Sequence, residues 1–393
     1  MERKFHLHHI EQLFASHSIV AILGPRQCGK TTLARQFSAL QQGIPLHNFD
    51  LEDAADVAVL ENPQIALGSL EGFIVIDEIQ RIPELFTQLR VLIDRESSKQ
   101  KYLILGSASR DLIAQSSETL AGRIAFMELT PFDFHEVRDL KQLWQRGGFP
   151  RSYLAANDDV SSEWREHYVT TYLERDIPNL GIRIPPQNLR RFWMMIAHYH
   201  ANIFNASELG RSLGHSDTTL RHYLDILTET FMIRQLQPWF ENIAKRQVKA
   251  SKIYFRDSGI LHTLLQIHSP EALMRFPYLG ASWEGFALEE VIRAHQAKPH
   301  ECFFWATHGG AELDLLITQH LKRVGFEFKY SDTPTVTKSM HTALVDLKLD
   351  HLYVIYPGTK HFRLQEKVTA IGLLTYLSSR WGRDNGETSS RDR

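Results

Sequence analysis

Cysteine is scarce in this sequence: two residues, Cys28 and Cys302, among 393. Cys28 falls in a glycine-flanked loop where a crosslink would obstruct the backbone, so no disulfide framework is expected and a reducing compartment fits. An excess of one charge is also missing. Lys and Arg total 44 against 46 Asp and Glu, so no overall field draws the chain to nucleic acid or an anionic membrane, and any such affinity has to come from a local patch. No stretch reaches the ~18 uninterrupted apolar residues of a spanning helix, and the first ten residues are broken by Lys4, His6, His8 and His9. Neither a membrane span nor a leader is expected; the expectation is a soluble cytoplasmic protein. What is present is ordinary for a globular chain: 43% hydrophobic and 23% charged residues exclude global disorder. The length exceeds the ~100–200 residues of one domain, so two or three domains are expected. There is no internal repeat.

From Ile19 to about Glu128 short apolar runs alternate with amphipathic segments, the pattern of a parallel sheet covered by helices. The runs Ile19–Leu23, Phe73–Ile76, Tyr102–Leu105 and Ile124–Met127 read as buried strands. A helical stretch from Phe132 to about Leu180, interrupted at Gly147-Gly148-Phe149-Pro150, suits a small lid. After Pro185-Pro186, Asn188 to Phe240 reads as three helices and a strand. From Trp283 to Ile371 a helix precedes strands at Phe303–Trp305, Leu313–Ile317, Val324–Phe328 and Leu352–Tyr356. The polar residues after about Ser378 read as a disordered tail.

The segment Gly24-Pro25-Arg26-Gln27-Cys28-Gly29-Lys30-Thr31-Thr32 has P-loop spacing between a strand and a helix. Gly24 and Gly29 let backbone amides wrap phosphates, the helix start adds its positive end, Lys30 reaches the terminal phosphates, and Thr31 places its hydroxyl on Mg2+. Further on, Asp77 and Glu78 stand at the tip of a buried strand, the Walker B arrangement. Asp77 would hold Mg2+ through water and Glu78 would orient the attacking water, since phosphoryl transfer depends on positioning and charge neutralisation. The expected ligands are ATP and Mg2+, and the expected activity is ATP hydrolysis.

In the middle of the chain, Asn205 or Ser207 caps a short helix, Gly214 makes a turn, and Ser216-Asp217-Thr218-Thr219 opens a third helix. That spacing matches a helix-turn-helix presenting Thr218, Thr219, Arg221 and His222 to a DNA groove. Lys245, Arg246, Lys249, Lys252 and Arg256 follow around an expected hairpin, resembling a basic wing for phosphate contacts. A protein-binding spacer is the alternative. Further on, Asp314 precedes Glu327-Phe328-Lys329, with Glu327 and Lys329 on one strand face by alternation. An Asp, a spacer and Glu-x-Lys is the restriction-endonuclease pattern: carboxylates hold a metal while the lysine stabilises charge. Glu289 on the preceding helix, or secondarily Glu284, would complete the metal shell. A cross-strand ion pair is the competing explanation.

Together these residues resemble a family, the prokaryotic AAA-type ATP-binding proteins with a C-terminal restriction-endonuclease-like domain of unknown function. The resemblance spans most of the chain. It rests on Gly24 to Thr32, Phe73 to Gln80, Gly106-Ser107, Leu120-Ala121-Gly122-Arg123, Thr171 to Ile177, Asp257-Ser258-Gly259, and Gly310 to Asp314 with Glu327-Phe328-Lys329. It implies an α/β chain: a P-loop AAA core at 1–130, a helical lid at 131–184, a winged helix-turn-helix at 185–260, an α/β restriction-endonuclease-like domain at 270–378 and a tail at 379–393. By the same resemblance Ser107 stands at the sensor position and Arg123 at the arginine finger, which implies a homo-oligomer. Arg175 either reaches ATP from the lid or joins a surface ion-pair cluster. The function expected is an ATPase coupled to a DNA-associated, nuclease-like domain, in defence or repair; the alternative is a regulatory ATPase whose C-terminal domain binds without cutting.

Overall fold

Runs of four to six apolar residues are too short for helices, and bounded by glycine and polar residues they pair as strands. The computed structural model describes residues 1–95, 99–107, 120 and 122–381. Its first sheet holds β1 (Ile19–Leu23), β2 (Leu46–Asp50), β3 (Gly72–Asp77), β4 (Gln100–Gly106) and β5 (Ile124–Glu128), all parallel, in the order β2-β3-β4-β1-β5. The central strand β1 is buried along its whole length: Ile19, Ala21 and Leu23 enter one core, Val20 and Ile22 the other. On the second face pack α1 (Lys4–Phe14) through Leu7, Ile10 and Phe14, and α2 (Lys30–Leu40) through Leu33, Ala34 and Phe37. On the first face α3 (Leu85–Ile93) contributes Leu85, Phe86, Leu89 and Leu92, the three-and-four spacing of one helix stripe. Residues 1–131, 170–186 and 225–232 form this compact unit.

The second compact unit gathers residues 132–169, 187–224 and 233–393. Along the chain α4 (Pro186–His198), α5 (Ala206–Leu213) and α6 (Asp217–Glu229) precede β7 (Ile233–Pro238) and β8 (Lys252–Phe255), with a two-residue β6 (Asn202–Ile203) between α4 and α5. Asn205 caps α5 by accepting from the Glu208 amide at 3.2 Å. After α7 (Leu279–Ala294) come β9 (Cys302–Ala306), β10 (Glu312–Gln319), β11 (Lys322–Phe328), α8 (Lys338–Asp346), β12 (His351–Tyr356), β13 (His361–Gln365), β14 (Val368–Gly372) and α9 (Leu373–Trp381). Among the described residues nine strands of this unit join one mixed sheet, β13-β14-β12-β11-β10-β9-β7-β8-β6. The link between its halves is a short parallel pairing of Gln237 and Pro238 with Phe303 and Phe304. The segments expected at 185–260 and 270–378 therefore share a sheet. Residues 379–381, read as the start of a tail, close α9 with a buried Trp381; the rest of that tail lies outside the described residues.

The Asp257-Ser258-Gly259 motif of the resemblance finds a structural reason here. The Asp257 carboxylate accepts from the Ile260 amide at 2.9 Å, capping the helix Ser258–Leu264, and from the Gly148 amide at 2.8 Å. A Cβ on Gly259 would stand 2.2 Å from the Arg146 carbonyl, so only glycine permits that approach.

Ile104, fully buried on β4 in the first unit, sets a stability test. Ile104→Ala is expected to cost about 2–5 kcal/mol of unfolding free energy, read from a urea titration, against less than about 0.5 kcal/mol for a change at exposed Thr32.

Candidate functional site

Polar residues gather at the carboxyl ends of β1, β3 and β4. Gly24 leaves β1 where a Cβ would fall 2.1 Å from the Leu129 carbonyl, and Gly29 enters α2 with φ of +103°, a left-handed backbone that suits glycine. Pro25 and Cys28 are buried, while Gln27, Thr31 and Thr32 face solvent. The Cys28 thiol points at the Leu129 carbonyl, 3.4 Å away, and its burial pushes its pKa up. Arg3, which no sequence motif flags, braces the loop from beneath: its guanidinium donates to the Cys28 and Thr130 carbonyls, each at 3.0 Å. Lys30 is buried and folded back, donating to the Gly24 carbonyl at 3.0 Å and the Pro25 carbonyl at 3.1 Å. Those acceptors are neutral, so its charge has no carboxylate partner among them.

Across the sheet the Thr31 hydroxyl donates to Asp77 Oδ2 at 2.6 Å. Burial raises the pKa of Asp77, against the opposing pull of that hydrogen bond. A hydroxyl and a carboxylate this close are the oxygen donors that Mg2+ takes, beside a loop shaped for phosphate; ATP and Mg2+ fit the residues present. Glu78 has φ of +56°, a strained conformation for a residue with a Cβ. Its carboxylate is held by the side-chain amide of Gln80 and by the Ser107 hydroxyl at 3.1 Å, while Gln80 Nε2 also lies 2.9 Å from Ser107 Oγ. Ser107 thus meets Glu78; Ala108, Ser109 and Ala121 lie outside the described residues. Arg123 instead pairs with Asp94, Nε at 2.7 Å and Nη2 at 3.1 Å.

Arg26 shows what spacing alone could not. Its Nη2 lies 2.7 Å from Glu52 Oε1 and its Nη1 3.1 Å from Asp176 Oδ1. Arg175 stands 3.8 Å from the same Glu52 oxygen. Arg175 and Asp176 belong to a π-helical turn, Tyr172–Asp176, a rare geometry found frequently at functional sites. Tyr172 anchors that turn by hydrogen-bonding Thr230 at 2.5 Å.

In the second unit Asp314, Glu327 and Lys329 do come together. Lys329 Nζ lies 2.9 Å from Glu327 and 4.0 Å from Asp314, and Asp314 Oδ2 accepts from the Phe328 amide at 3.0 Å. Glu289 is not with them. It is held by Arg234, with Nη2 at 3.0 Å, and by Arg256 at 3.7 Å; although burial opposes it, these arginines bring its pKa down to about 2. The helix turns Glu284 toward the cluster instead, where Tyr254 donates to it at 2.7 Å. Among them sits a residue read as part of a surface wing: Lys252, 4% exposed, lies 2.9 Å from Glu284, 2.6 Å from Glu312 and 3.3 Å from Asp314. Two ammonium groups therefore stand among four carboxyl groups. Among the described residues no group of three or more His, Cys, Asp or Glu side chains is arranged to hold a metal ion.

The remaining wing residues do not make one patch. Lys245 pairs with Asp346 at 2.6 Å, Arg256 faces Glu289, and the segment lies along β9, with Gln247 bridging Thr307. Arg246 and Lys249 are exposed. On α6, Thr218, Arg221 and His222 are exposed, while Thr219 turns to Ser216, its Oγ1 2.8 Å from Ser216 Oγ.

The buried cluster carries a pH signature. Burial, the largest cause, and the neighbouring Asp314 push Glu284 up to about 7 and Glu327 up to about 8. The folded protein then keeps protons that the unfolded chain has released, so stability falls as pH rises from the ordinary 4.5 toward about 8. Urea titrations across that window should show stability falling less, or rising more, with pH in Glu327→Gln than in the wild type; equal slopes in both proteins would overturn the assignment. Lys252→Met should destabilise by about 3–5 kcal/mol, the cost of leaving buried carboxylates without their cation.

Residues 16–138 match a family model described as an AAA domain, 137–271 a domain of unknown function (DUF8612), and 279–376 another (DUF4143). The chain is 47% identical over 355 residues to the uncharacterized protein Rv2008c of Mycobacterium tuberculosis and equally to the uncharacterized protein Mb2031c of Mycobacterium bovis, covering 90% of this chain and 79% of each relative. Among solved structures, a Walker-type ATPase of Pyrococcus abyssi shares 16% identity with a TM-score of 0.48, covering 67% of this chain and 95% of its own. RuvB of Thermotoga maritima shares 18% with a TM-score of 0.28, covering 58% and 85%; these two likenesses bear on no functional point. No helix among the described residues is long and apolar enough to cross a membrane. This chain belongs to the same family as the two mycobacterial proteins, and its N-terminal third is the AAA domain of a P-loop ATPase.

Proposed function

We propose that the protein is an Mg2+-dependent ATPase that acts as a regulatory switch, its second unit binding a partner rather than cutting nucleic acid. The observation that carries the first half is the Thr31–Asp77 hydrogen bond of 2.6 Å beside Lys30, whose ammonium donates to two backbone carbonyls. In this reading Lys30 exchanges those carbonyls for β- and γ-phosphate oxygens, and the loop amides from Gly24 to Thr32 wrap the phosphates. Thr31 and Asp77 would hold Mg2+, which when bound supplies neutralisation of phosphate charge. Glu78 orients the attacking water and takes its proton; Gln80 and Ser107 hold that carboxylate in place. The new bond forms between water oxygen and the γ-phosphorus as the bond to the bridging oxygen breaks, leaving its electron pair on ADP.

Lys252 supports the second half. With its ammonium among Glu284, Glu312 and Asp314, the Asp314–Glu327–Lys329 constellation is an ion cluster rather than an open metal shell. The reading of residues 270–378 as restriction-endonuclease-like draws support from α7 ahead of antiparallel β10–β11 and parallel β11–β12. The winged-helix reading draws support from the order α4-β6-α5-α6-β7-β8, with β8 antiparallel to both β6 and β7. DNA contact through Thr218, Thr219 and Arg221 would use the α6 surface, and Lys252 would take no part in it.

Lys30→Ala is expected to abolish ATP hydrolysis, and Glu78→Gln to retain ATP while slowing turnover by about 10²-fold or more. Steady-state phosphate release with nucleotide-binding measurements tests this; unchanged rates in both would overturn the ATPase reading. Duplex DNA incubated with the protein, ATP and Mg2+ is expected to stay intact. Cleavage that Lys329→Ala abolishes would instead establish the nuclease.

A further inference from the structure

The phosphate loop holds a second cation besides Lys30. Arg26 is the third residue of the loop Gly24–Thr31, and its side chain is only 19% exposed. Its guanidinium lies between two carboxylates from distant parts of the chain, Glu52 at 2.7 Å and Asp176 at 3.1 Å. Glu78 acts electrostatically on both Arg26 and Asp176.

The pairing has the character of a holding position. Both carboxylate oxygens of Asp176 are buried without a hydrogen bond, so Arg26 meets that residue by charge and not by a well-formed fork, a costly arrangement for a buried pair. Arg175 stands 3.8 Å from Glu52 and acts electrostatically on Glu52 and Asp176 alike. When Arg26 leaves, these carboxylates keep a cation nearby. The π-helical turn that presents Arg175 and Asp176 is itself a departure from regular helix made at this site. Arg123 is engaged by both oxygens of Asp94.

We propose that Arg26 is a catalytic residue acting in cis: it leaves Glu52 and Asp176 to contact the γ-phosphate of ATP and neutralises the charge that develops as the phosphoryl group transfers. This rests on the ATPase reading above. A guanidinium serves that task better than a second lysine because it bonds phosphate oxygens in a planar fork. Glu52 and Asp176 are positioning residues, keeping Arg26 off the phosphates until nucleotide arrives.

The test uses the full-length protein. Arg26→Ala should lower kcat by about 10²–10³-fold while its affinity for a fluorescent ADP analogue stays at the wild-type value. It should also lose capture of ADP with aluminium fluoride, which mimics the transferring phosphoryl group. Arg26→Lys should recover part of both. Mixing Arg26→Ala with Lys30→Ala protein should restore nothing, because the arginine acts within its own chain. Glu52→Gln should lower KM for ATP without lowering kcat, whereas a merely structural anchor would lower kcat. Parallel loss of ADP affinity in Arg26→Ala would assign Arg26 to loop architecture and overturn the proposal. Rescue by mixing would assign it to a neighbouring subunit and also overturn it. A wild-type protein that hydrolyses no ATP would sink the ATPase reading itself; a hydrolysing wild type with an unaffected Arg26→Ala sinks this inference alone.

Discussion

Parallel pairing is the constraint on which the first unit depends. Strands β3, β4 and β1 are neighbours, all pointing one way, and their register sets Leu23 beside Gly106 and Ile76 beside Ile104. Both faces of these three strands are covered, so apolar residues fill them and polar ones are confined to their tips. Gly24, the Asp77-Glu78 pair and Ser107 consequently emerge along one edge, where open α/β sheets bind ligands. The Thr31–Asp77 bond and the Ser107–Glu78 bond follow from that alignment.

Buried charge is handled in two ways. In the phosphate loop Lys30 rests on neutral carbonyls and Arg26 on an imperfectly bonded carboxylate, arrangements that an arriving polyphosphate can improve. In the second unit, charges are matched against each other. Glu289 lies among Arg234, Arg256 and Arg293 and stays ionised; Glu284 and Glu327 share two lysines with Asp314 and hold protons into the neutral range. A buried matched cluster contributes little net stability, but removing one member is costly.

The core strands were legible because an uninterrupted apolar run has one economical fate, burial between helix layers. Strand β2 was not: Leu46-His47-Asn48-Phe49-Asp50 lies at the sheet edge with no fully buried residue, so it lacks the signal that marked the others. The P-loop and the Asp77-Glu78 tip were legible because their chemistry needs residues adjacent in sequence. Glu327 and Lys329 were legible for a similar reason, since positions two apart share a strand face.

The composition, the strand-loop-helix motif and the alternation in Glu-x-Lys were thus determined by local sequence, because the relevant geometry spans only a few residues. The partners of Arg26, the inward turn of Lys252 and the choice between Glu284 and Glu289 were decided by tertiary structure. Glu284 and Glu289 lie about 140° apart around one helix, and nothing local says which face meets β10 and β11. Lys252 reads locally as one more basic residue after a strand; only the pairing of β8 with β6 and β7 buries it among carboxylates. Long-range electrostatics of this kind depend on how strands stack, which no short window of sequence contains.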